Sequence, residues 1–136
     1  MHKYDTYIYN AEVIRVVDGD TVIANVDVGF DMWKKCNIRL YGIDSPETRT
    51  RDLNEKKAGN EAKSRLIELL EANDNKFVLD SKGLDKYGRV LGILFTGYHN
   101  VLPWEDSKES RPVKMSLNDL LVIEGHAVEY HGGRKT

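Results

Sequence analysis

The stretch Asn37-Ile38-Arg39-Leu40-Tyr41-Gly42-Ile43-Asp44-Ser45-Pro46-Glu47-Thr48 decides how the chain is read, because it runs an alternating segment into a stiff acidic turn. From Asn37 to Tyr41 the side chains alternate, which predicts a β-strand with Ile38 and Leu40 on one face and Arg39 and Tyr41 on the other. Gly42 lets the backbone turn, while Pro46 fixes its own φ and pushes Ser45 toward extended geometry. Asp44 and Glu47 are therefore expected on a rigid bend. The residues alone leave two readings of that bend open. One is a helix start, with Asp44 as cap, Pro46 in the first turn and Glu47 closing a capping box; the other is a site that uses both carboxylates.

Further toward the N-terminus, Val17-Asp18-Gly19-Asp20-Thr21-Val22 sets two more carboxylates in a tight turn between β-branched runs. By itself Asp-Gly is an ordinary hairpin signal. Taken with the first stretch it gains a chemical meaning: Asp20 and Asp44 can offer hard oxygen ligands to one divalent cation, with Glu47 beside it and Arg39 facing the same spot. Asp18 reads as a turn residue that supports the site.

Residues 11 to 17, 22 to 28 and 34 to 43 read as three consecutive strands, the last reached through a loop Gly29-Phe30-Asp31-Met32-Trp33. Residues 48 to 57 are charged and expected as an exposed loop. Ala58, Ala62, Leu66, Leu69 and Leu70 recur at helical spacing, predicting an amphipathic helix over 59 to 72. Residues 77 to 79 and 90 to 95 predict two more strands. Ser116 ahead of Leu117, Leu120 and Leu121, with Asp119 three residues on and Gly125 past the end, predicts a short capped helix. Residues 127 to 130 read as a last short strand. The order fits an α+β fold: a five-stranded OB-fold barrel with an amphipathic helix between strands 3 and 4 and a short second helix near the C-terminus. A single domain over 1 to 136 is expected, with 1 to 10 and 131 to 136 as flexible ends; Tyr7-Ile8-Tyr9 either adds a strand or leads in.

Composition narrows the function. Cys36 is the only cysteine, which excludes an intrachain disulfide, and its place in the alternation predicts a buried core thiol. His2, His99, His126 and His131 lack metal-ligand spacing with it, so zinc is not expected. The net charge of −2 argues against a tight nucleic-acid binder but allows an enzyme that releases product. A local cluster of Arg39, Arg49, Arg51, Lys86 and Arg89 can still attract phosphates. The chain has no run of 18 apolar residues and no charged-then-apolar N-terminal signal. It is expected as a monomer without membrane contact, cytoplasmic as given, or secreted if a signal peptide has been removed.

These segments, with Asp85-Lys86-Tyr87-Gly88-Arg89, resemble the staphylococcal nuclease (thermonuclease) domain family over roughly residues 11 to 130. The family's pattern is an Asp-Gly-Asp-Thr turn, a strand ending in Arg, an Asp-Thr/Ser-Pro-Glu turn and an Asp-Lys-Tyr-Gly-Arg hairpin. Gly59-Asn60-Glu61-Ala62 also matches its Gly-x-Glu-Ala pattern. The resemblance implies a calcium-dependent nuclease acting on DNA and RNA and leaving 3′-phosphate products. It implies Asp20, Asp44 and the backbone carbonyl of Ser45 as Ca2+ ligands; Ser stands where the family more often has Thr, which a backbone ligand tolerates. Glu47 would orient or deprotonate the attacking water. Arg39 and Arg89 would clamp phosphate with planar, two-pronged donors. Lys86 and Tyr87 would touch a terminal phosphate, and Tyr130 would stack on or hydrogen-bond the nucleotide. The stretch from Gly125 to Tyr130 is one residue shorter than the family's usual pattern. The rival expectation is a module of the same family that binds nucleic acid or protein with little turnover. The loop from Thr96 to Lys114 is the main departure from the family; it reads either as a tolerated surface insertion or as a segment in which Trp104 and Arg111 extend a nucleic-acid path or contact a partner.

Overall fold

Strand formation follows the alternation: along β2 (Thr21–Gly29), Val22, Ala24 and Val26 are buried while their neighbours are half-exposed. The structure, a computed structural model, describes residues 7–96 and 115–131. Most of the loop expected over 96 to 114, with Trp104 and Arg111, lies outside the described residues.

β1 (Ile8–Asp18) pairs antiparallel with β2, which pairs antiparallel with β3 (Met32–Leu40). β5 (Lys76–Leu84) and β6 (Val90–Phe95) close the barrel in the order β1-β2-β3-β6-β5, with β5 returning to β1. β3 and β6 meet in parallel over Ile38 to Leu40 alone. A separate two-stranded sheet joins β4 (Ile43–Asp44) to β7 (Val128–Glu129). The helices are α1 (Leu53–Glu71) and α2 (Leu117–Ile123). The expected five-stranded barrel with two helices is the observed fold.

Several boundaries differ from expectation. Ile8, Tyr9 and Asn10 belong to β1, because Ile8 to Glu12 pair with β5. Residues 53 to 57 are the first turns of α1 rather than loop: Asp52 caps the helix by accepting from the Asn54 and Glu55 N–H groups. The segment was hard to see because Asn54, Lys56 and Lys57 face solvent and carry no apolar period. The helix-start reading of Asp44 to Glu47 fails because Asp44 ends β4 and the helix cap, Asp52, sits eight residues later. β5 runs past Leu79 to Leu84. The loop expected from Gly29 to Trp33 is a tight turn whose central residues, Phe30 and Asp31, have φ of 56° and 61°.

The core gathers inward-facing residues of all five barrel strands with Leu66 and Leu70 of α1 and Leu117 and Leu121 of α2. Each fully buried leucine, isoleucine or phenylalanine contributes on the order of 1.5–3 kcal/mol over leaving it exposed. Cys36 only half enters this core, and burial raises its thiol pKa.

Candidate active site

Arg39 sits one residue from the end of β3, between Ile38 and Leu40, both fully buried, so the pleat aims its side chain off the core. Its guanidinium meets four acceptors. Nη1 donates to the carbonyls of Leu40 (3.1 Å) and Ile43 (2.9 Å) and lies 3.4 Å from Asp20 Oδ2. Nη2 donates to Asp44 Oδ1 at 3.3 Å. One cation therefore holds the turn after β3 in shape and draws two carboxylates together from distant parts of the chain.

Asp20 occupies the β1–β2 turn and is buried, its charge met by Arg39, the Thr21 hydroxyl (2.9 Å) and the Ser45 N–H (3.0 Å). Asp18 in the same turn accepts from the Thr48 hydroxyl at 2.7 Å, tying down the far end of the acidic bend. Ser45 is buried, and among the described residues its Oγ has no hydrogen-bond partner. Glu47 is exposed; its N–H donates to Glu55 Oε2 of α1 at 3.2 Å.

The donors at this bend are oxygens, the kind a hard divalent cation takes. Asp20 and Asp44 flank one guanidinium and fit such an ion in kind. Among the described residues no group of three or more His, Cys, Asp and Glu side chains stands ready for a metal, so other ligands would come from carbonyls or water.

Arg89 immediately precedes β6, at the close of a short hairpin organised by Asp85. Asp85 Oδ1 accepts from the backbone N–H groups of Tyr87 (2.8 Å) and Arg89 (2.9 Å), and Oδ2 takes Arg89 Nε at 2.7 Å. Burial works against ionisation of Asp85, but the Arg89 backbone and side-chain bonds and the Tyr87 N–H outweigh it and hold the carboxyl below its ordinary range. The Arg89 guanidinium carbon lies 5.6 Å from the Tyr87 ring centre and the Lys86 ammonium 5.4 Å from it.

Two clefts result. One, of about 350 Å³, is lined by Arg39, Tyr41, Lys86, Tyr87, Arg89 and Tyr130 among others. Another, of about 340 Å³, is lined by Asp44, Ser45, Glu47, Glu55 and His126 among others. The Arg39–Asp44 contact links them. A larger depression of about 740 Å³ runs along α1 and includes none of the expected site residues.

The model of the staphylococcal nuclease homologue family matches residues 37–136. The chain belongs to that family. It is 34% identical over 86 residues to a thermonuclease of Staphylococcus hyicus, covering 63% of this chain and 48% of that protein. It is 30% identical over 87 residues to a micrococcal nuclease of Shigella flexneri, covering 64% of this chain and 42% of that protein. A Methanocaldococcus jannaschii protein named as uncharacterized is 35% identical over 112 residues, 69% of this chain and 52% of that one. The chain thus spans about half the length of these relatives. Within this staphylococcal nuclease homologue the family match begins after Asp20, and Asp20 joins the site through its contacts with Arg39 and Ser45.

Two residues that give the site its shape, Asp85 and Asn118, carry no assigned task in the sequence alone. Asp85 was legible as the first residue of an Asx-type turn with an arginine four positions on. Asn118 was not. It is buried on α2, where its amide nitrogen donates to the carbonyls of Tyr41 (2.8 Å) and Gly92 (3.1 Å) and its oxygen accepts from the Leu94 N–H (3.0 Å). One of two adjacent polar residues between Leu117 and Leu120, it carries no periodic signal. Among the described residues no helix is long and apolar enough to cross a membrane.

Proposed function

We propose that this chain is a metal-dependent nuclease that hydrolyses phosphodiester bonds of DNA and RNA as a monomer. The observation that carries the reading is the guanidinium of Arg39 held between Asp20 and Asp44 beside a cleft that also contains Lys86 and Arg89. Asp20, Asp44 and the Ser45 carbonyl would hold the ion, and oxygen donors of this kind suit calcium, which accepts flexible coordination, better than magnesium. A bound divalent cation supplies charge neutralisation at the phosphate and a more acidic water.

This chain's own residues do the rest. Arg39 and Arg89 donate to the phosphoryl oxygens as negative charge builds there. Glu47, exposed at its cleft, takes the proton of the attacking water. Lys86 and Tyr87 hold a terminal phosphate, and Tyr130 contacts the nucleotide. The water oxygen bonds to phosphorus as the bond to the 5′ oxygen breaks, leaving a 3′ phosphate and a 5′ hydroxyl that takes its proton from solvent.

A second reading, nucleic-acid binding with little turnover, is favoured by the engagement of Arg39 with four protein acceptors. One assay separates the two. Cleavage of end-labelled single-stranded DNA is measured in chelator and after adding calcium or magnesium. The nuclease reading expects no cleavage in chelator, restoration by calcium above magnesium, and 3′-phosphate ends. Absence of cleavage under every ion supports the binder.

A further inference from the structure

The β2–β3 hairpin reaches beyond the barrel. β6 covers β3 only from Ile38 to Leu40, so among the described residues Met32 to Asn37 have β2 as their one strand neighbour. At its tip Phe30 is 98% exposed and Trp33 54% exposed. Phe30 and Asp31 both hold left-handed φ, a conformation that bulky side chains adopt at a cost of order 1–2 kcal/mol per residue. The turn tolerates that strain while holding an aromatic ring in solvent.

The register from Asp27↔Trp33 to Thr21↔Arg39 is unbroken. Alternation then puts Trp33, Lys35, Asn37 and Arg39 on one face of β3, in line over about 20 Å. Trp33, Lys35 and Asn37 are exposed, and Arg39 ends the line in the candidate active site. An aromatic ring, a cation and an amide thus lead along one strand to the residue proposed to hold phosphate.

Building on the nuclease reading, we propose that this arm is a stacking platform for unpaired bases of a single-stranded polynucleotide whose scissile phosphate lies at Arg39. Phe30 and Trp33 stack on bases, and Lys35 contacts the backbone. A duplex keeps its base faces stacked inside and offers these rings nothing. The arm's acidic side chains, Asp27 and Asp31, offset Lys34 and Lys35 in charge, and Asp27 also accepts from the Gly29 N–H at 2.9 Å. Stacking rather than charge therefore supplies most of the arm's own share of the affinity, and that share depends little on salt.

The test measures binding of the full chain to oligothymidylate and to a duplex of equal length, in the absence of turnover. Trp33→Ala should weaken oligothymidylate binding about tenfold or more with an unchanged salt slope. Trp33→Phe should recover most of the loss, and duplex binding should not respond. Equal oligothymidylate binding by wild type and Trp33→Ala overturns the proposal. So does loss of a self-associated form on Trp33→Ala with binding intact, since the arm is then a protein contact. Wild-type cleavage of a dinucleotide, too short to reach Trp33 from Arg39, reports on the nuclease reading separately.

Discussion

Gly59 of α1 lies against the main chain of Glu47 so closely that a Cβ there would stand 2.5 Å from the Glu47 carbonyl oxygen. Only a residue without a side chain lets α1 support the acidic bend at this distance. Ala62, one turn along the same buried face, approaches Gly19, where a Cβ would come within 2.7 Å of the Ala62 Cβ. The Gly-x-Glu-Ala segment is thus the surface on which both acidic turns rest.

Gly59→Ala should gain about 1 kcal/mol in helix propensity and lose more than that to the clash with backbone, for a net destabilisation of roughly 1–2 kcal/mol. Because a displacement of about 1 Å at a reacting group can cost on the order of a hundredfold, turnover should fall by at least tenfold. Denaturant melts and steady-state kinetics on the same preparation check both halves. A variant as stable and as active as the parent would show that the helix does not hold Glu47.

Arg39→Lys should lose turnover by orders of magnitude, since a point charge cannot meet two carboxylates and two carbonyls at once. Lys86→Ala should chiefly raise KM, because its ammonium lies at the rim of the cleft on the Tyr87 ring. Comparing kcat and KM for the two variants checks the assignment. Near-normal turnover in Arg39→Lys would remove Arg39 from the reaction.

Acid should loosen the Asp85 hairpin. The folded pKa of Asp85 is lowered, so its ionised form contributes stability that is complete above the unfolded value of about 3.9 and is lost as pH falls through the lower folded value. Glu124, held low by its hydrogen bond from Arg65, follows the same sign. The Tm gap between wild type and Asp85→Asn should be widest near neutrality and shrink below about pH 4. A gap that does not change with pH would mean that the carboxylate charge adds nothing.

Asn118→Leu should destabilise the protein by roughly 2–4 kcal/mol, since the Leu94 N–H and the Tyr41 carbonyl lose their side-chain partner in the interior. Urea unfolding measures the loss. A cost below about 1 kcal/mol would mean that water or a neighbour replaces the amide.

The barrel was legible because strands with one buried face announce themselves by alternation, as Ile38, Arg39 and Leu40 do. The acidic turns were legible because Gly, Pro and Asp restrict the backbone in recognisable ways. Contacts made across the fold were not. The approach of Gly59 to Glu47, the three bonds of Asn118 and the pairing of β4 with β7 depend on tertiary distances that no local pattern encodes. The first turn of α1 was missed because solvent-facing residues erase the apolar period that marks a helix.

The pairing of Asp44 with Val128, together with the hydrogen bond from the Tyr130 N–H to the Gly42 carbonyl at 2.8 Å, gives the molecule a timetable. The two sides of that small sheet are separated by roughly eighty residues of chain, which a ribosome adds in about 4 to 16 s. During that interval the strand carrying Asp44 exists without its partner, while the β1–β2 and β2–β3 hairpins already have theirs. The β4 edge that carries Asp44 is therefore completed only by the C-terminal segment, after every barrel strand and the contacts of Arg39 and Gly59 with the acidic bend are already available.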